Sequence, residues 1–256
     1  MISAHIFLVF LWGITINVAC VPIAKSTITL TPSITPTWTS TPTATVVWFP
    51  PTLTPTPFPA PLTSPTAEFN PNLGVLLLQD DFTSGEDWLL IQSTNGSIAL
   101  GKNELTIHVA QPKTYLFSVR RQPILSDFYL EITASPTLCQ DGDEYGVLFR
   151  ATSLADYYRF GVSCDGQVKL ERVLKDKPSV LQPWMESGII PPGAPNIVHI
   201  GIWVQGKDMH FLVEGYPVFN FADAALVSGN LGVYARSASQ TAMTVNFSEL
   251  SVWEIK

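Results

Sequence analysis

Between Cys139 and Gln167 the chain reads CQDGDEYGVLFRATSLADYYRFGVSCDGQ, which gathers four Asp, one Glu, two Arg and three Tyr between and beside two cysteines. Three chemistries suit such a stretch. The first is metal binding. Asp141 and Asp143, in the loop Asp141-Gly142-Asp143-Glu144, are candidate ligands of a structural calcium, an ion that takes roughly six to eight oxygens. The loop supplies about half of such a shell and lacks EF-hand spacing, and Asp and Gly are also ordinary turn formers. Asp80 or Asp81 could hold a separate structural calcium; no other cofactor is implied.

The second chemistry belongs to the cysteines. No C-x-x-C spacing and no neighbouring His marks them as a reactive or metal-binding pair. If Arg150 and Tyr157 face each other in a hairpin, residue numbers across it sum to about 307, and Cys164 falls opposite Asp143. The short loop from Cys139 to Asp143 can fold back and bring the two Cα atoms within the roughly 4.4–6.8 Å that a disulfide needs. A Cys139–Cys164 bridge is therefore expected.

The third is ligand binding on a sheet face. In Tyr157-Tyr158-Arg159-Phe160-Gly161-Val162, alternation assigns Tyr158, Phe160 and Val162 to a core and turns Tyr157 and Arg159 outward. In IVHIGIWV the core set is Val198, Ile200, Ile202 and Val204, which leaves His199 and Trp203 outside. The run Gln167–Val173 presents Lys169 and Glu171 in the same way. If these outward faces share one sheet, Tyr157, Arg159, Lys169, Glu171, His199 and Trp203 line a shallow groove. Aromatic rings and planar polar groups are what grips a sugar, and the same face would also suit a protein partner. Catalysis has less to work with. No G-x-S-x-G, P-loop or H-E-x-x-H occurs, and His108, His199 and His210 stand far apart, so no catalytic residue is assigned.

The elements that must position these residues follow from the rest of the chain. With 14 Lys plus Arg against 21 Asp plus Glu and a net charge of −7, nucleic acid is excluded as a partner, because phosphate binding needs a basic surface. No polybasic segment addresses anionic lipid. Residues 1–20, MISAHIFLVFLWGITINVAC, contain an apolar run from Ile6 to Ile16 that suits a signal peptide. Its Ala19-Cys20 end resembles a bacterial lipobox, which implies lipidation of Cys20; an uncleaved N-terminal anchor is the alternative. Either places the remainder on the extracellular side of a bacterial membrane, with membrane contact through that end only. Residues 21–72 hold twelve of the 21 prolines and only two charges, Lys25 and Glu68. Neither helix nor sheet propagates through such a run, so a disordered Thr/Pro-rich linker, extended at about 3 Å per residue, is expected.

Residues 73–256 carry short runs rich in Val, Ile, Phe, Tyr and Trp between turn signals, the pattern of an all-β sandwich. Strands are expected at 97–100, 104–109, 128–133, 145–150, 157–163, 167–174, 197–204, 209–213, 218–221, 231–235 and 243–253. One helical turn is expected around 223–227. Gln79-Asp80-Asp81-Phe82 with Trp88, Tyr145–Arg150, Tyr157–Phe160, Gly229–Tyr234 and Val245–Leu250 together resemble the concanavalin A-like (LamG-like) jelly rolls of bacterial surface lipoproteins. In many relatives the turn after the strand at 209–213 reads L-x-V-N-G; here Glu214 replaces the Asn. The resemblance implies a two-sheet antiparallel jelly-roll sandwich. It implies a function less directly, since fold alone does not settle activity. Glycoside hydrolases of this fold carry E-x-D-x-x-E on one strand, a spacing absent from 73–256. The expected role is a non-catalytic cell-surface binding module with a carbohydrate as leading ligand. A protein-binding adhesion module is the alternative, and a glycan-active hydrolase without a recognisable motif is the third.

Overall fold

The computed structural model describes residues 69–256; the expected leader, Cys20 and most of the Thr/Pro-rich stretch lie outside the described residues. Period-two alternation builds fifteen strands: β1 (Leu73–Asp80), β2 (Ile91–Ser93), β3 (Gly96–Leu100), β4 (Leu105–Val109), β5 (Tyr115–Val119), β6 (Phe128–Leu138), β7 (Glu144–Ser153), β8 (Asp156–Ser163), β9 (Gln167–Leu174), β10 (Lys177–Glu186), β11 (Val198–Gln205), β12 (Asp208–Val213), β13 (Tyr216–Ala222), β14 (Asn230–Arg236) and β15 (Met243–Ile255). One sheet runs β13-β12-β11-β6-β15-β4-β3-β2, with β1 also paired to β15; the other runs β10-β9-β8-β7-β14-β5. Every pairing is antiparallel. The helical turn expected around 223–227 does not form. Asp223 instead accepts the Ala225 N–H, the Tyr158 hydroxyl and the Arg172 guanidinium, which holds that segment as an irregular loop.

The core lies between the sheets and contains the sets read from alternation. Tyr158, Phe160 and Val162 from β8 meet Val198, Ile200, Ile202 and Val204 from β11, all at most 1% exposed. Phe160 stacks on Phe211 at 4.9 Å between ring centroids. Phe82 and Trp88 are buried against each other at 5.3 Å. Asp80 accepts the Trp88 Nε1–H and the Arg120 Nε–H on one oxygen and the Phe82 N–H on the other, which pins the β1–β2 connection. Glu214 at the β12–β13 turn has φ 52°, the left-handed conformation that Asn tolerates better than Glu.

The β7–β8 hairpin keeps the expected register, summing to 307 from Glu144↔Ser163 to Phe149↔Tyr158. It then departs from it. Arg150 has φ 47° and opens a bulge, and the ladder resumes only at Ser153↔Asp156, so Arg150 and Tyr157 are not partners. The guanidinium of Arg150 goes inward instead and donates to the carbonyls of Ser126 and Leu226. At the other end of the hairpin Cys164 N–H donates to the Asp143 carbonyl at 2.9 Å, and Cys139 and Cys164 form the disulfide, with Cα atoms 5.9 Å apart. The bridge encloses a sequence separation of 25 residues, so a paired Cys→Ser variant should lose roughly 3 kcal/mol in the chain-entropy account. Urea unfolding of that variant beside the oxidised protein measures it; coincident midpoints would remove the bridge from any stabilising role.

Candidate functional site

The six proposed groove residues divide between the two sheets. Tyr157, Arg159, Lys169 and Glu171 lie on β8 and β9 of the six-stranded sheet, whereas His199 and Trp203 lie on β11 of the nine-stranded sheet. Outward orientation is correct for all six, but the shared groove is not. His199 is bound through its ring Nδ1 and its N–H to the two oxygens of Glu214 at 2.7 and 2.8 Å. Trp203 is covered by the chain itself. Phe69 packs edge-on against it, with centroids 6.3 Å apart, and its Nε1–H donates to the Pro71 carbonyl. Both residues therefore belong to the seat of the segment leading into β1 and to a separate polar cleft, and not to a groove with Tyr157.

The outer face of the six-stranded sheet is built row by row from the register. One row runs Glu171, Arg159, Leu148, Gly232, Val119 across β9, β8, β7, β14 and β5. The next runs Lys169, Gly161, Gly146, Tyr234, Phe117, and a third passes through Ser163, Glu144, Arg236, Tyr115. Three glycines thus leave the middle of the floor bare, and large side chains lean over it from both sides. A Cβ on Gly161 would come within 2.5 Å of the Tyr234 hydroxyl, so the glycine is what admits that ring. Strands β5 and β8 stand three strand spacings apart, about 14 Å. Yet the Phe117 and Tyr157 centroids are only 6.2 Å apart, and the Arg159 Cζ lies 5.2 Å from the Tyr115 ring and 5.4 Å from that of Tyr234. The face is a trough filled by its own aromatics.

Within the trough the charges form a chain. Arg159 Nε and Nη2 donate to Glu171 Oε2 at 2.9 and 2.5 Å. Lys169 Nζ bridges Glu171 at 2.9 Å and Glu144 at 2.6 Å, and Arg236 reaches Glu144 at 3.6 Å. Tyr157, Arg159, Lys169 and Glu171 are only 5–8% exposed. Burial works against the Arg159 charge, but Tyr234, Tyr115, Glu171 and Glu144 outweigh it and hold the guanidinium above its usual range. Burial also works to raise the Glu171 carboxyl, and Arg159 and Lys169 overcome it and hold that group below its usual value. Burial pushes the hydroxyls of Tyr115 and Tyr234 well up, so both stay protonated. Five buried side-chain polar atoms lack a hydrogen-bond partner among the described residues, and three of them, Tyr115 OH, Tyr234 OH and Glu144 Oε1, belong to this face. What remains open is a depression of about 310 Å³ bordered by Tyr115, Tyr157, Arg159, Asp176 and Arg236.

Trp184 on β10 stands beside this depression, 38% exposed, with Lys169 Nζ 4.6 Å from its ring centroid. Sequence reasoning missed it, along with Tyr115, Phe117, Tyr234, Glu144 and Arg236. Period-two patterning could not have found it, because two register shifts interrupt β10, between Val180 and Gln182 and between Gln182 and Met185, and Pro178 and Pro183 mask the strand. A larger cleft of about 440 Å³ on the nine-stranded sheet includes Tyr129, Glu131, Thr133, His199, Glu214 and Glu249. Its polar groups are already paired: Tyr129 with Glu131, Thr133 with Glu249, and His199 with Glu214. The candidate calcium ligands separate as well. Asp141 is exposed, while Asp143 is buried and accepts the N–H groups of Gln140, Ala238 and Ser239. Among the described residues the gathering of metal-ligand types is Cys139, Asp143 and Cys164, and its two sulfurs are bonded to each other.

No family model matches the chain, and no curated protein matches it in sequence. Solved structures do match in shape. A carbohydrate-binding module, CBM66 from Bacillus subtilis, superposes with a TM-score of 0.51 at 17% identity, over 66% of this chain and 96% of its own. A Bacillus subtilis protein of unknown function with a galectin-like fold gives 0.51 at 11% identity, over 71% and 97%. The fold is a concanavalin A-like, galectin-like jelly roll. A structure described among the endo-acting O-glycanases of prominent human gut microbiota gives 0.54 at 9% identity, over 71% of this chain and 100% of its own. Binding modules and enzymes thus share this jelly roll, and identities this low carry the fold alone.

Proposed function

We propose that this jelly roll is a non-catalytic carbohydrate-binding module whose site is the outer face of the six-stranded sheet. The observation that carries the reading is the concentration of buried polar atoms without a hydrogen bond, Tyr115 OH, Tyr234 OH and Glu144 Oε1, on one aromatic-walled trough. Buried polar groups are ordinarily satisfied. A ligand rich in hydroxyls and with flat apolar ring faces supplies hydrogen bonds and stacking together. Trp184 is the exposed stacking platform and Tyr115 and Tyr157 the wall.

Likeness to a carbohydrate-binding module supports the same reading. Against hydrolysis stands the state of Glu171. A glycosidase acid must hold its proton through a raised pKa, whereas Glu171 is held low by Arg159 and Lys169. The Cys139–Cys164 bridge fits an oxidising, exported location. On this reading residues 21–72 are the stalk and Cys20 the lipidated anchor, with an uncleaved N-terminal anchor as its rival; mass spectrometry of the mature N-terminus separates the two.

Glycan-array binding of the full chain is the test. Trp184→Ala should weaken binding about tenfold, the scale of one lost aromatic contact, while Trp203→Ala should leave it unchanged. Capture of a single protein partner with no glycan bound would overturn the proposal in favour of an adhesion module. Release of reducing ends from a bound polysaccharide would overturn its non-catalytic part.

A further inference from the structure

The charges of the trough do not balance at its rim. On the floor Arg159 is answered by Glu171, and Lys169 by Glu144 and Glu171. Arg236 is the cation left over. Its side chain is 46% exposed, and its one ion pair among the described residues, to Glu144 Oε1, is stretched to 3.6 Å, while Lys169 holds the other oxygen of that carboxylate at 2.6 Å. At this end of the trough Arg159, Lys169 and Arg236 face Glu144 and Glu171, one positive charge in surplus that only Asp176 at the far end offsets, on a chain whose net charge is −7. A lone cation on an acidic protein is a local exception to the overall field.

Its neighbour on β5 sharpens the point. Tyr115 is the cross-strand partner of Arg236 and borders the same depression, with its hydroxyl buried and without a hydrogen bond. The opposite end carries a carboxylate in its lining. Asp176, in the β9–β10 turn, borders the depression beyond Tyr157 and Val173, whereas Arg236 is level with Glu144 and Ser163 at the far end of β8. Along β8 that is six residues, about 20 Å.

We infer that the site selects a glycan carrying an anionic substituent, a carboxylate or a sulfate ester, held by the Arg236 guanidinium beside the Tyr115 ring. The inference rests on the carbohydrate-binding reading and adds the substrate class to it. A planar guanidinium presents paired donors to either group, and a neutral sugar would leave it unanswered. Asp176 repels the same substituent from the other end, so the ligand is oriented as well as held.

Titration calorimetry of the full chain against two matched pairs of oligosaccharides decides it: oligogalacturonate beside its methyl ester, and carrageenan oligosaccharides beside the same oligosaccharides after desulfation. The first pair isolates carboxylate and the second sulfate. The anionic member of at least one pair should bind roughly tenfold more tightly, with the advantage shrinking as salt is raised. Arg236→Gln should abolish that advantage, and Arg236→Lys should recover part of it. Equal affinity for charged and neutral members, or a preference that survives Arg236→Gln, overturns the inference while the carbohydrate-binding reading stands. Failure to bind any glycan on a broad array overturns both.

Discussion

Glu171→Ala should destabilise the domain by about 3–5 kcal/mol, because it strands the buried Arg159 guanidinium and weakens the hold on Lys169. Arg159 loses its only carboxylate partner among the described residues, and Lys169 loses one of two. Urea unfolding reads the effect directly, and a midpoint within error of the parent would refute it. The more informative variant removes the whole pair. Arg159→Met with Glu171→Leu leaves Lys169 bound to Glu144 and replaces two desolvated charges by apolar side chains of similar size. Exchanges of this kind are often neutral or stabilising. Stability recovered alongside lost glycan binding would show that the ion pair is retained for the ligand and not for the fold. The same carboxylate gives the protein an acid limit. The folded-state value of Glu171 lies below its usual 4.5, so its contribution is complete above about 4.5 and is lost as pH falls through the lowered value. Glu171→Gln should flatten that part of the stability curve.

Arg150→Ala has an expected cost of similar size for a different reason. The side chain is 1% exposed, and its donors are committed to backbone carbonyls, Ser126 at 2.8 and 3.2 Å and Leu226 at 3.1 Å. Alanine leaves the buried Leu226 carbonyl without its donor, gives up the two bonds to the Ser126 carbonyl and opens a cavity, together about 3–5 kcal/mol. For a domain of this length that corresponds to a fall in Tm on the order of 10 °C. Arg150→Lys should recover little, since one ammonium cannot reproduce the fork that spans two loops. A thermal melt of the alanine variant matching the parent would show that the loops hold themselves.

The same residue marks a limit of reading the sequence. Alternation through Tyr145–Arg150 gave the strand, the core face and the register, but Arg150 looked like the outward partner of Tyr157. A bulge at φ 47° leaves no mark in period-two patterning. The hairpin mouth was legible because register arithmetic needs only an antiparallel pair, and Cys139–Cys164 followed from it. The groove was half legible. Alternation tells which side of its own strand a residue faces, so Tyr157, Arg159, Lys169, Glu171, His199 and Trp203 were all correctly turned out of the core. Which sheet a strand joins depends on long-range pairing. β11 lies between β6 and β12, and that took His199 and Trp203 to the other side of the molecule. β5 and β10, which bring Tyr115, Phe117 and Trp184, were passed over. β10 has two prolines, tolerated because it is an edge strand, and β5 is only five residues long.

Where the chain closes has a consequence for how many molecules can work side by side. Strand β1 is zipped to the second half of β15, Asn72 Nδ2–H donates to the Lys256 carbonyl, and Lys256 N–H donates to that of Asn72. The domain is thus a ring with a single seam, and the seam belongs to the nine-stranded sheet, behind the trough. On the proposed reading, entry of the chain into β1 from the back leaves the front of the sandwich clear, and copies held on a common surface engage one long polymer together, each through a weak contact, with avidity set by their spacing.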